Sequence, residues 1–154
     1  MTGRSPKYVV DTQLFIDAFR DRAANEALQQ FHHGFARFEY LSAIVAQELR
    51  AGVRRPADRT ALETNVLAIF ARANRTIAPS AASWHRSGDL LSAMARREGL
   101  QVDRVSKAFA NDLLLALSCR EAGCVLVTAN RRDFERIRRF VSFEFIAPWP
   151  GGSI

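Results

Sequence analysis

The stretch from Ala110 to Phe134 constrains the fold most tightly. It opens on Asn111 and Asp112, continues through an apolar run of helical length, and stops at Gly123, a residue suited to a helix terminus. Cys124–Val127 then contains no polar residue, and Thr128, Asn130 and Asp133 crowd into the turn that follows. A strand that is apolar on both faces must be covered on both, as strands of a parallel sheet are. In such sheets ligands bind beyond the carboxyl ends of the strands.

A second strand delivers an acid to the same edge. Lys7–Val10 is short and β-rich and ends at Asp11, while Leu14, Phe15, Ala18 and Phe19 already follow helical spacing. Asp11 or Thr12 can cap that helix. Capping alone suits Thr12 but does not account for an acid as the last residue of a strand. Further on, the spacing predicts a helix over 25–35 stopped by Gly34, with His32 and His33 as surface or helix-end groups. A strand over 38–42 and a helix over 43–51 capped by Ser42 come next. On that helix Glu48 shares a face with Ile44 and Ala51.

Asp58 or Thr60 is expected to cap a helix over 61–73 whose inward face is Leu62, Val66, Ile69 and Phe70. An extended segment at 76–79 precedes a helix ending at Glu98, with Trp84, Leu91 and Met94 on its packing side. Residues 100–107 read as a linker or short turn. A short basic helix over 134–140 and an alternating strand over 141–146 complete the core, and the tail from Pro148 to Gly152 is irregular. Strands separated by helical segments imply a three-layer α/β/α arrangement around a central, mostly parallel sheet. No boundary divides residues 1–154, so a single domain is expected, with an ordered core over about 7–147.

The charge balance bears on partners. A net charge of +6 suits a polyanion such as nucleic acid, although arginines also solubilise helix faces. Cys119 and Cys124 lack CxxC spacing and read as small apolar residues of a reducing compartment. No run is long enough to span a bilayer and no signal-peptide pattern is present, so a cytoplasmic protein without membrane contact is expected.

Asp11, Glu48, Asp112 and Asp133 can therefore converge, two at strand exits and two on flanking helices. Singly, each also reads as a cap, a dipole partner or a surface ion pair with Arg50 or Arg54. Together they would repel one another unless a cation lay among them, and an all-oxygen set suits Mg²⁺, with Mn²⁺ as the alternative. Asn130 could add a neutral oxygen or hold a water. Arg131, Arg132, Arg136, Arg138 and Arg139 beside the site, with Arg54 and Arg55 further out, could grip flanking phosphates.

Four blocks, Val9–Thr12, Ser42–Leu49, Asn111–Ala116 and Leu126–Phe134, resemble the PIN-domain ribonucleases, and most nearly the VapC toxins of bacterial toxin–antitoxin pairs. The resemblance spans nearly the whole chain. It implies a PIN-like fold and Mg²⁺-dependent cleavage of RNA, with Asp11, Glu48 and Asp112 as the acidic core. The fourth position falls in the Thr128–Phe134 turn, where Asp133 is favoured with Asn130 in support, and Thr128 would position the turn and an attacking water. The resemblance also implies a homodimer, or a hetero-oligomer with a cognate antitoxin whose peptide occupies a groove. Gln13 departs mildly from the family pattern. A haloacid-dehalogenase-type phosphotransferase would need a second aspartate where Gln13 stands. A receiver domain would need a late lysine and paired acids near the first strand's end. The remaining alternative is a non-catalytic PIN-like module that binds an antitoxin or RNA.

Overall fold

The computed structural model describes residues 5–151; the polar residues before them, and the tail from Gly152 on, lie outside the described residues. Five strands, β1 (Lys7–Val10), β2 (Glu39–Ser42), β3 (Thr76–Ile77), β4 (Cys124–Val127) and β5 (Phe145–Ile146), form one sheet in the order β3-β2-β1-β4-β5. Every pairing is parallel, with Val10 beside Val127 and Val127 beside Ile146. The chain builds outward from β1 to one edge and then crosses to the other side, so β1 and β4 flank the switch point. That is where a parallel sheet opens a crevice.

Helices cover both faces, completing the three layers expected. They are α1 (Thr12–Arg20), α2 (Arg22–Phe35), α3 (Ala43–Gly52), α4 (Pro56–Leu62), α5 (Ala68–Arg72), α6 (Ala81–Glu98), α7 (Lys107–Ala122) and α8 (Arg131–Arg138). The central one is α7, buried on every side from Leu113 to Cys119. Its start is capped by Ser106, whose hydroxyl accepts from Phe109 N–H, and it ends at Gly123 with φ +68°, a left-handed turn that glycine adopts without strain. Leu113, Leu115, Leu126, Val9 and Phe134 are all within 1 % of complete burial. Among the described residues no helix is long and apolar enough to cross a membrane.

Several expectations need correcting. Gly34 does not stop α2, which runs on to Phe35 and caps at Ala36. Neither Asp58 nor Thr60 caps the helix after Arg55; it starts at Pro56, whose missing N–H and fixed φ suit a first turn, and Arg55 is the N-cap residue. Between α4 and α5 the chain makes a π-helical turn, Glu63–Leu67. The wider turn brings Leu67 into the core at 5 % exposure and rotates Ile69 outward to 56 %. Trp84 is 57 % exposed and does not pack inward, whereas Met94 on the same helix is fully buried. Of the predicted last strand only Phe145–Ile146 is strand, paired with Leu126 and Val127, and before it the Glu144 carbonyl oxygen accepts one further bond from Leu126 N–H at 3.0 Å. Val141 and Phe143 still turn into the core.

Candidate functional site

Asp11 follows β1 and serves as the N-cap residue of α1. Its Oδ1 accepts from Thr12 N–H at 2.8 Å and its Oδ2 from the Thr128 hydroxyl at 2.7 Å. Thr128 stands one residue past β4, the neighbouring strand, and its oxygen also accepts from Asn130 N–H at 3.0 Å. The sequence assigns Thr12 only to capping. In the structure the cap is Asp11, and the Thr12 hydroxyl donates to Glu48 Oε1 on α3 at 2.8 Å. Two hydroxyls thus tie two acids to the ends of two strands. A residue directly after a strand-terminal acid is the only sequence signal that pointed to Thr12.

The other half of the site is carried by helices. Because α7 begins at Lys107, Asp112 lies in its second turn and not at its start, so no helix dipole accounts for it. Asn130 is the N-cap of α8, accepting from Asp133 N–H through Oδ1. Its amide nitrogen donates to Asp112 Oδ2 at 3.3 Å and to Asp133 Oδ2 at 3.1 Å. The Asn130 carbonyl oxygen is therefore occupied by the cap. Asp133 does not cap α8; it sits in the first turn with one carboxylate oxygen on Asn130.

The four acids share an electrostatic environment. Burial pushes Asp112 up to about 8, and the charges of Asp11, Asp133 and Glu48 push the same way. Asp11 is also raised, by burial foremost and further by Glu48, against the opposing hydrogen bonds from Thr128 and Thr12. As placed, no three His, Cys or carboxylate groups among the described residues close on one ion. Yet Asp112, Asp133 and Glu48 each keep one oxygen that no side-chain or backbone donor takes among the described residues. Free carboxylate oxygens, mutual repulsion and the absence of sulfur or imidazole make a donor set suited to a hard divalent cation.

The arginines divide into two groups. Arg131 pairs with Glu135 at 2.7 Å, Arg136 and Arg139 share Glu98 at 2.9 and 2.7 Å, and Arg55 pairs with Asp58 at 2.7 Å. Arg136 is half-buried over the Phe109 ring, and Arg138 lies 4.4 Å from the centre of the Phe145 ring. Arg132 and Arg54 are exposed and have no ion pair among the described residues. Arg131, Arg132, Arg136, Arg138 and Arg139 line one shallow face on α8, directly after the acids. Arg54 and Arg55 line a separate groove of about 700 Å³ between α1, α3 and α4, which also contains Glu48. Gln13 is exposed and bonds Asp17, clear of the acids. Glu48 makes no pair with Arg50, which holds Glu63 instead.

The PIN domain family model matches residues 8–140. No curated protein sequence matches the chain. Among solved structures, DNA-bound VapBC from Salmonella typhimurium is similar with a TM-score of 0.69 and 18% identity, covering 93% of this chain and 98% of that one. FitAcB from Neisseria gonorrhoeae is similar with a TM-score of 0.65 and 18% identity, covering 93% and 99%. A toxin–antitoxin complex from Klebsiella pneumoniae is similar with a TM-score of 0.57 and 21% identity, covering 90% and 99%. At these identities the likeness is one of fold.

Proposed function

This chain belongs to the PIN domain family, and from that premise we propose that it is a metal-dependent endoribonuclease, the toxin of a type II toxin–antitoxin pair. The observation that carries the reading is the convergence of Asp11, Glu48, Asp112 and Asp133 at the switch point, with Asp112 raised to about 8 by burial and by the other three. Such a group is costly to ionise without a cation beside it. Asp11, Glu48, Asp112 and Asp133 would hold Mg²⁺, or Mn²⁺ in its place. The bound ion would supply a nucleophilic water and charge stabilisation at the scissile phosphate.

The chain's own groups then have distinct parts. Asp133 is the fourth acid in preference to Asn130, since the Asn130 oxygen caps α8 while its amide holds Asp112 and Asp133 in place. Thr128 orients Asp11 and the turn; its single hydroxyl proton is already on Asp11, which leaves it only as an acceptor towards a water. Thr12 orients Glu48. Of the five arginines proposed to bind RNA, Arg132 and Arg54 have no ion pair among the described residues and are free to meet phosphate at once. Arg131, Arg136 and Arg55 can do so only by leaving exposed or half-exposed ion pairs, which are individually weak.

The neighbours named VapBC and the toxin–antitoxin complex support a cognate antitoxin as partner, within a homodimer or a hetero-oligomer. A single domain over residues 1–154 working in the cytoplasm completes the reading. The test uses partner-free protein, structured RNA and Mg²⁺ or Mn²⁺. The Asp112→Asn variant is expected to cleave about a hundredfold more slowly or worse. Equal cleavage by both proteins would sink the nuclease assignment, and no cleavage by either would favour a non-catalytic binding module.

A further inference from the structure

The groove beside Glu48 does not end at the acids. Phe19, Asn65 and Val66 wall both it and a second cavity of about 220 Å³ between α1, α2 and α5. Glu39, at the start of β2, lies in the lining of that cavity. It is 2 % exposed, and its Oε2 lies 2.5 Å from His32 Nδ1. The other oxygen, Oε1, is buried and has no hydrogen-bond partner. A carboxylate oxygen taken from water and given no donor is uncommon in folded proteins and points to a missing partner.

The walls narrow the chemistry of that partner. Phe15 and Phe70 line the cavity, as do Phe19 and Ile69, each 56 % exposed. A long side chain with an apolar stem and a cationic head meets both requirements, its stem on the rings and its N–H on Oε1. We propose that this cavity receives one lysine or arginine side chain of a protein partner lying along the groove. Arg75 also lines the cavity, its guanidinium donating to the Ala36 carbonyl oxygen and leaving Oε1 without a donor. A phosphate has no hydrogen to give that oxygen, which disfavours a nucleic-acid occupant. Arg20 and Arg54 on the adjoining groove are exposed and have no carboxylate partner among the described residues. The same partner is therefore expected to carry acidic residues next to its basic anchor. Only the identity of that protein as the antitoxin rests on the reading above; the chemistry of the cavity rests on Glu39.

The test is an NMR titration of the full chain, without metal or RNA. The probes are acetyl-leucyl-arginyl-leucine amide, the same peptide with glutamine in place of arginine, and guanosine monophosphate. The arginine peptide is expected to move the His32 and Phe70 signals and to bind at least tenfold more tightly than the glutamine peptide. Glu39→Gln should remove that tenfold preference, and Phe19→Ala, at the surface and harmless to the core, should weaken binding of the arginine peptide severalfold. Equal binding of the two peptides, binding of neither, a preference that survives Glu39→Gln, or binding of the nucleotide alone would overturn the proposal. Asp112→Asn should bind the arginine peptide unchanged, so failure of the nuclease reading would be seen separately.

Discussion

Asp11 is a buried carboxylate and Asp112 a half-buried one at the same sheet edge, and the chain holds them by different means. Asp11 has a donor on each oxygen, one from the backbone of Thr12 and one from the hydroxyl of Thr128. Asp112 has one long hydrogen bond, from an amide that it shares with Asp133. The strand-borne half of the site is therefore organised by the protein itself. The helix-borne half is left with carboxylate oxygens that no protein donor takes among the described residues. A bound cation has most to gain where the protein gives least.

The sharpest way to break this contrast is to turn the shared amide into another acid. Asn130→Asp removes two donors from Asp112 and Asp133 and adds a like charge. We expect a loss of about 3 kcal/mol in the metal-free protein near neutral pH, much of it recovered by millimolar Mg²⁺. Urea melts with and without the ion would show it, and an equal loss in both would mean that the helix-borne half does not answer to a cation.

Removing the strained charge should act in the opposite direction. Since folding raises the Asp112 carboxyl from 3.8 to about 8, the folded metal-free protein binds a proton that the unfolded chain releases in that interval. Its stability accordingly falls as pH rises from about 4 to about 8. Asp112→Asn is free of that loss. It should melt about 4 °C above the parent at pH 8, a figure discounted for partial solvent access, and close to it at pH 4. A gain of the same size at both pH values would assign the effect to packing.

The smallest effect belongs to the preset half. Thr12→Val deprives Glu48 of its donor at a site that water still reaches, and is expected to cost about 1 kcal/mol with or without Mg²⁺. Thr12→Ser should restore most of it. A strongly metal-dependent cost would erase the distinction between the two halves.

What the sequence showed depended on how local each cause was. Asp11 and Thr128 were legible because an uninterrupted apolar strand must end somewhere, and a polar residue there stands at the sheet edge. Glu48 was legible from helical spacing, and Asp133 from its place in the polar turn past the late strand. The parts played by Thr12 and Asn130 were not, since each rests on a hydrogen bond to a residue distant in sequence or to two acids at once. The inward face of residues 61–73 failed at Ile69 because periodicity assumes one helical pitch, and the π turn changes it. Trp84 failed because a large apolar side chain reads as core when nothing marks its face as open. Glu39 gave no signal at all, as an acid in a strand reads as an outward residue until its neighbours are placed.

The Thr128–Asp133 turn is pinned at both ends and in the middle. Asn130 N–H is on Thr128, the Asn130 oxygen takes Asp133 N–H, and Phe134 is sealed in the core. Such a turn works as a gear tooth between sheet and helix. One residue inserted after Asn130 would rotate α8 by about 100°. That rotation would carry Asp133 off the acids, swing Phe134 towards water and re-aim Arg132 together, so length here is under tighter control than identity.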